Sequence, residues 1–310
     1  MFPLKGIIPP LITPLAGDDA LDRDALAQVI ERSIGAGVHG LFVLGTTGEG
    51  PALSQRLRRE TLRETIRIAG GRAPVLVGVT DTSLVDSLAL ASDAASAGAA
   101  GVVTAGPCYF PAGQDDLLRY MKQFASACEL PVFLYNMPSH TKVSFDVDTV
   151  RRLADVPRIA GIKDSSAQML FFQQLLGIAA DRPDFTVLIG PEELLAEAVL
   201  LGGHGGVCGG ANLAPELYVA LYNAAVAGDL LQVMKLQQRV LRLSSRLYHV
   251  GPPPSAYLAG LKAALACLGI GTGRLAPPSA SLPPEKMAVI EQHLRDLDLL
   301  RPVAAMRESR

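Results

Sequence analysis

Ile159-Ala160-Gly161-Ile162-Lys163-Asp164-Ser165-Ser166 is the stretch whose reading decides the fold. Its β-branched isoleucines alternate with small residues, and Asp-Ser-Ser then stops the run, as in a short buried strand entering a turn. Side chains alternate faces along a strand, so Gly161, Lys163 and Ser165 share one face while Ile162 and Asp164 share the other. If the Gly161 face looks into a closed barrel, Lys163 is an amine among apolar walls with a gap beside it. Burial disfavours the ammonium form and lowers the pKa, which is what a Schiff-base lysine needs. A strand-end lysine can also snorkel to solvent or pair with a carboxylate. The rest of the chain has to separate these readings.

Outward from that stretch, eight short apolar runs alternate with segments of helical period. The runs are Gly6 to Thr13, Gly40 to Leu44, Pro74 to Val79, Gly101 to Thr104, Pro131 to Tyr135, Ile159 to Lys163, Phe185 to Gly190 and Gly205 to Gly209. Asp24 to Ile34 places Leu26, Val29, Ile30 and Ile34 on one helical face, and Asp115 to Ala127 repeats the theme. Strict β/α alternation argues for a parallel sheet. Eight units in roughly 225 residues match an α/β fold of the (β/α)8 TIM barrel type, typically about 250 residues long. A doubly wound sheet is the alternative, but no strand is followed by G-x-G-x-x-G or G-x-x-x-x-G-K. The proline-rich first run suits the start of a barrel. Past Gly228 the strands stop, and Asp229 to Tyr248, Pro254 to Leu268 and Pro283 to Leu299 look helical. The expected organisation is a barrel over 1–228 with a helical extension over 229–310 in the same domain.

Composition narrows the function. A net charge of −2 with no basic cluster argues against nucleic acid as a partner. The start Met1-Phe2-Pro3-Leu4-Lys5 does not read as a signal peptide, and no apolar run is long enough for a membrane span. Cys108, Cys128, Cys208 and Cys267 show no C-x-x-C spacing, and the histidines form no H-x-x-x-H or H-x-E pattern. A reducing cytoplasm and a site without metal are therefore expected. His39, His204 and His249 read as surface or capping residues, and Cys208 as a packing residue.

In such barrels chemistry sits where strands end. That rule selects Thr13, the Gly45-Thr46-Thr47-Gly48-Glu49 turn, Tyr109, Tyr135, Lys163, Gly190 and Val207. The Gly-Thr-Thr-Gly turn offers two hydroxyls and several amides with glycines allowing close approach, which suits a carboxylate; it also reads as an ordinary turn before a helix at Ser54. Tyr135-Asn136-Met137-Pro138 brings a phenol to the end of the fifth strand, where a packed, satisfied core tyrosine is the plainer reading.

Together Gly45-Thr46-Thr47-Gly48-Glu49, Tyr135-Asn136-Met137-Pro138 and Gly161-Ile162-Lys163-Asp164, in this order and at these separations, resemble the dihydrodipicolinate synthase/N-acetylneuraminate lyase superfamily of class I pyruvate-dependent aldolases. The resemblance runs from about Gly6 to Leu268. It implies that Lys163 forms an imine with pyruvate or a 2-keto acid, with no metal or organic cofactor. It also implies that Tyr135 acts as general acid/base, that Thr46 and Thr47 bind the keto-acid carboxylate, and that one of them links Tyr135 to a proton relay. Tyr109 would reach a neighbouring subunit's site, in a homotetramer built as a dimer of dimers. Gly190 and the backbone at Val207 would line the pyruvate end. Two departures stand out. His140 occupies the place where the synthases usually carry an arginine for aspartate semialdehyde, and Lys142 stands where glycine is common. Gly206-Val207-Cys208-Gly209-Gly210 also resembles hydroxy-oxoglutarate and keto-deoxy-sugar-acid aldolases more than the synthases. The expected activity is thus cleavage or dehydration of a hydroxylated 2-keto acid, or condensation of pyruvate with an aldehyde. A genuine 4-hydroxy-tetrahydrodipicolinate synthase is the alternative, and a non-catalytic keto-acid-binding barrel a more distant one.

Overall fold

The computed structural model describes residues 3–110 and 112–300. Met1 and Phe2 of the expected leaderless start, Pro111, and residues 301–310 of the expected extension lie outside the described residues.

Eight strands pair in parallel: β1 (Gly6–Ile7), β2 (Leu41–Val43), β3 (Val75–Gly78), β4 (Gly101–Ala105), β5 (Val132–Asn136), β6 (Ile159–Asp164), β7 (Thr186–Ile189) and β8 (Gly205–Gly206). Their spatial order runs from β1 to β8 and then back through β7 to β2. The two ends meet where Pro10 bridges Phe42: Leu11 N–H donates to the Phe42 carbonyl at 2.7 Å and Phe42 N–H to that of Pro9 at 3.0 Å. The sheet closes on itself as a (β/α)8 barrel. β1 is shorter than the run Gly6 to Thr13 because Pro9 and Pro10 have no N–H to give a ladder.

Helices α1 (Arg23–Gly35), α2 (Gln55–Ala69), α3 (Leu84–Ala97), α4 (Gln114–Ala127), α5 (Val147–Ala154), α6 (Met169–Asp181), α7 (Leu195–Leu200) and α8 (Pro215–Ala227) follow the strands in turn. Asp22, Ser54 and Ser83 cap α1, α2 and α3 by accepting the N–H three residues on. After the barrel come α9 (Leu230–Leu247), α10 (Ala256–Cys267) and α11 (Pro284–Asp296), with no further strand among the described residues.

The apolar residues divide into two cores. Ile8, Phe42, Leu76, Val103, Phe133, Leu188 and Val207 fill the barrel interior, while Ile162, Leu134 and Val77 pack outward with the helices. The β5–β6 register shifts between Val132 and Phe133: Val132 pairs with Ile159 and Phe133 with Gly161. Ala160 is the extra residue of a bulge, which re-aims the strand beyond it. From Gly161 onward the expected alternation holds, so Lys163 faces the interior and Asp164 the outside.

Candidate active site

Tyr135 and Lys163 are register partners on β5 and β6. Both are buried, and the Lys163 Nζ lies 4.2 Å from the centroid of the Tyr135 ring and 5.4 Å from that of Phe42. Among the described residues no carboxylate pairs with it; two aromatic faces stabilise the ammonium instead. The next register pair, Asn136 and Asp164, points the other way. Asn136 Nδ2 donates to Asp164 Oδ1 at 2.8 Å, and the Ser166 N–H and hydroxyl complete the carboxylate's shell at 3.1 and 2.9 Å. Burial pushes the Asp164 carboxyl up, and these donors partly offset it. Asp164 is therefore a strut for the strand end, not a counter-ion for its neighbour.

The Gly45–Glu49 turn lies across the barrel mouth because the chain reverses sharply after β2. Leu44 adopts the left-handed conformation (φ 62°), a strained choice for leucine. Its carbonyl is wedged between Gly50 and Gly78, where a Cβ would sit 2.1 and 2.3 Å from that oxygen. Thr46 Oγ1 then comes 3.1 Å from the Tyr135 hydroxyl. Thr13, at the end of the first segment, donates its hydroxyl to the Gly48 carbonyl at 2.7 Å and ties the turn down.

The turn is held from its other side by the extension. Thr47 Oγ1 is 3.0 Å from the hydroxyl of Tyr257, and Glu49 pairs with Lys262 at 2.5 Å, both partners being on α10. Lys262 Nζ also donates to the Thr13 carbonyl at 2.9 Å, and Glu49 Oε1 accepts the Ala276 N–H at 2.7 Å. Burial lowers the Lys262 pKa, and Glu49 acts against that shift. Behind α10, Glu192 accepts from the Gly210 N–H at 2.7 Å and from the hydroxyls of Tyr218 and Tyr248 at 2.6 Å. Burial pushes its pKa up to about 7.

The remaining predicted residues divide between those near the amine and one that is not. Val207 lies in the interior cluster with Tyr135 and Leu188. Gly190 donates its N–H to the Asp164 carbonyl at 2.7 Å, and a Cβ there would meet Ser165 Oγ at 2.0 Å. His140 sits on the helical turn Pro138–Thr141, its Nδ1 3.0 Å from Ser139 Oγ. Desolvation of its ring lowers its pKa, and the Lys142 and Lys163 cations add to the effect, so the imidazole is neutral at pH 7. Lys142 donates to the Ser139 carbonyl at 2.6 Å. Among the described residues Tyr109 joins none of these groups: it is 79% exposed and stacks edge-on with Phe110 at 5.1 Å. Cys208 is buried, which pushes its thiol up as a packing residue requires. His39 and His204 each accept a backbone N–H, from Ile7 and Val187, at 3.1 Å.

A family model for the dihydrodipicolinate synthetase family matches residues 3–297. The chain belongs to that family. Its relatives are named for more than one activity. The probable 2-dehydro-3-deoxy-D-pentonate aldolase YjhH of Escherichia coli is 35% identical over 87% of this chain and 89% of its own. The solved dihydrodipicolinate synthase of Bacteroides thetaiotaomicron superposes with a TM-score of 0.93, at 50% identity over 96% of this chain and 99% of that one. YagE, a prophage protein of the dihydrodipicolinic acid synthase family from E. coli K12 solved with pyruvate, gives 0.90 at 32% identity over 96% and 100%. Family members are lyases and aldolases. Among the described residues no helix is long and apolar enough to cross a membrane, and no three His, Cys, Asp or Glu side chains are grouped to hold a metal ion.

Sequence reasoning passed over Tyr257, Lys262 and Glu192. Lys262 had a signal: it is the single charge in Ala256–Cys267, a helix otherwise built of small and apolar residues. Tyr257 and Glu192 had none, because their partners lie on other elements, 210 residues away for Tyr257 and 18 to 56 for Glu192.

Proposed function

We propose that this family member is a Schiff-base lyase of hydroxylated 2-keto acids, such as 2-keto-3-deoxy sugar acids. The observation that carries the reading is the buried Lys163 amine, held against the Tyr135 ring with no carboxylate partner among the described residues, beside a Tyr135–Thr46 hydroxyl pair. In this reaction the neutral amine adds to the C2 ketone, and the new hydroxyl leaves as water with a proton taken from solvent, giving a protonated imine. Tyr135 takes the proton from the C4 hydroxyl as the C3–C4 bond breaks, passing its own phenol proton to Thr46, and an aldehyde is released. The bonding electrons enter the imine as an enamine, which is protonated at C3 and hydrolysed to pyruvate. Thr46 relays the proton, and Thr47 receives the substrate carboxylate. No metal or organic cofactor takes part.

His140 favours this substrate class. A neutral imidazole is one donor and one acceptor, which suits hydroxyls better than the second carboxylate of an aspartate semialdehyde adduct. The synthase is the second reading, favoured by the identity to the Bacteroides enzyme. We also read the barrel and the helices beyond Gly228 as one domain, because α10 grips the mouth loop at Thr47 and Glu49. The exposed Tyr109 and Phe110 support a homotetramer in which that face meets a neighbour, and the free cysteines suit a cytoplasmic setting.

The test is kcat/KM of wild type and His140→Arg on a 2-keto-3-deoxy sugar acid and on pyruvate with aspartate semialdehyde. Wild type should prefer the sugar acid. Arginine should move the ratio toward the semialdehyde by about one to two orders of magnitude, the worth of a charge-assisted contact. A wild type that already prefers the semialdehyde replaces this reading with the synthase.

A further inference from the structure

The proposed chemistry employs Tyr135 with Thr46 and leaves Tyr257 without a part. Tyr257 lies in the first turn of α10, outside the barrel strands. Its hydroxyl is 3.0 Å from Thr47 Oγ1, and its ring stacks edge-on against Tyr248 at 4.7 Å. Tyr248 is fixed in turn by Glu192. The path to Thr47 is open only because residue 209 is glycine: a Cβ there would sit 1.7 Å from the Tyr257 hydroxyl oxygen. Lys262 on the same helix grips Glu49, so α10 holds the mouth loop at two of its side chains.

A threonine hydroxyl has one proton and two lone pairs. If Thr47 gave its proton to Tyr257, none would remain for a substrate. If Tyr257 donates, the Thr47 proton is turned elsewhere. Burial, with the Glu192 charge adding to it, holds the Tyr257 phenol well above its usual range, so it keeps its proton and can donate.

We infer that Tyr257 is a positioning residue for the substrate carboxylate: it donates to Thr47 Oγ1 and so fixes the Thr47 O–H as a donor to the 2-keto acid. This rests on the imine-forming reading above. The adjacent threonines then divide the work. Thr46, paired with a tyrosine of β5, passes protons; Thr47, paired with a tyrosine of α10, holds the acid.

Borohydride trapping on Lys163, followed by mass spectrometry at increasing pyruvate, tests this. In Tyr257→Phe the half-saturating pyruvate concentration should rise about 10-fold, while the maximal trapping rate stays within about two-fold. Acetone, a ketone without the carboxylate, should be trapped equally by wild type and variant. Gly209→Ala, which displaces the hydroxyl without removing it, should reproduce the pyruvate defect. Tyr257→Phe in a Thr47→Val background should add nothing further. An unchanged pyruvate half-saturation overturns the inference, as does an equal loss for acetone and pyruvate. A wild-type protein that pyruvate and borohydride never tag overturns the imine reading itself, and this inference with it.

Discussion

The β5–β6 wall and helix α10 each present one tyrosine and one lysine to the barrel mouth, and they use them differently. Lys163 and Lys262 are both buried, at 6% and 2% exposure. Lys262 is clamped by the Glu49 carboxylate at 2.5 Å and the Thr13 carbonyl at 2.9 Å. Lys163 meets ring faces, with no carboxylate among the described residues. An ammonium locked in an ion pair is an anchor, since losing its proton would strand a buried carboxylate. An amine that meets only ring faces leaves no buried carboxylate stranded when it adds to a carbonyl. Burial does not distinguish a reactive lysine from a structural one; the presence of a counter-ion does.

The sharpest way to break the comparison is to exchange the fates of the two amines. Lys163→Ala should lose at least about 10³-fold in activity and all labelling by pyruvate with borohydride, as expected when the covalent nucleophile is removed. Lys262→Ala should still be tagged, at Lys163. A mass tag on Lys262 in the wild type would reverse the assignment.

The two tyrosines follow in size of effect. Tyr135→Phe removes a proton donor, so turnover should fall by about 10²–10⁴-fold while the imine still forms. Tyr257→Phe is expected to raise the substrate requirement and leave the maximal rate nearly intact. Steady-state kcat and KM for the two variants side by side check the difference. Equal kcat losses would mean that both phenols serve the same step.

How much of this was legible follows from what each side is made of. The β5–β6 wall could be read because its residues are close in sequence and their roles come from strand alternation: Gly161 and Lys163 inward, Asp164 outward. The bulge at Ala160 was not legible, since a register shift depends on the partner strand. The mouth loop was legible as a glycine- and threonine-rich turn at a strand end, but not what holds it. Thr47 and Tyr257 are 210 residues apart, and Glu49 and Lys262 are 213 apart. No local pattern encodes such pairs; they appear only when the extension folds back over the barrel. Tyr109 was read as reaching a neighbouring subunit's site, and its exposure on the single chain is what that reading requires.

The anchoring lysine makes a stability prediction. Lys262→Met leaves Glu49 buried without its cation and should cost about 3–5 kcal/mol of unfolding free energy in denaturant titration. The double variant Glu49→Gln, Lys262→Met removes both charges and should recover much of that loss. If the single and double variants lose the same amount, the pair is not what holds the loop, and Lys262 contributes only packing.

Glu192 sharpens the comparison from the acid side, as a buried charge whose partners are donors and not cations. Three groups donate to it, the Gly210 N–H and the Tyr218 and Tyr248 hydroxyls, yet burial still pushes its pKa from 4.5 to about 7. Between those values the folded protein holds a proton that the unfolded chain has released. The stabilisation is therefore fully present below about pH 4.5 and is lost as pH rises through about 7. At 1.36 kcal/mol per pKa unit, the loss across that window is roughly 3 kcal/mol. Glu192→Gln is neutral throughout, so its unfolding free energy should lack this slope. Its amide presents a donor where the carboxylate had an acceptor, and that mismatch adds an offset that does not change with pH. Subtracting the variant's stability from the wild type's at pH 5, 6, 7 and 8 removes the contribution of every other titrating group. The difference should fall steadily with pH and flatten above about 7. A flat difference would mean that three donors alone can hold a buried carboxylate as well as water does. A cation would then not be the deciding partner on either side of the mouth.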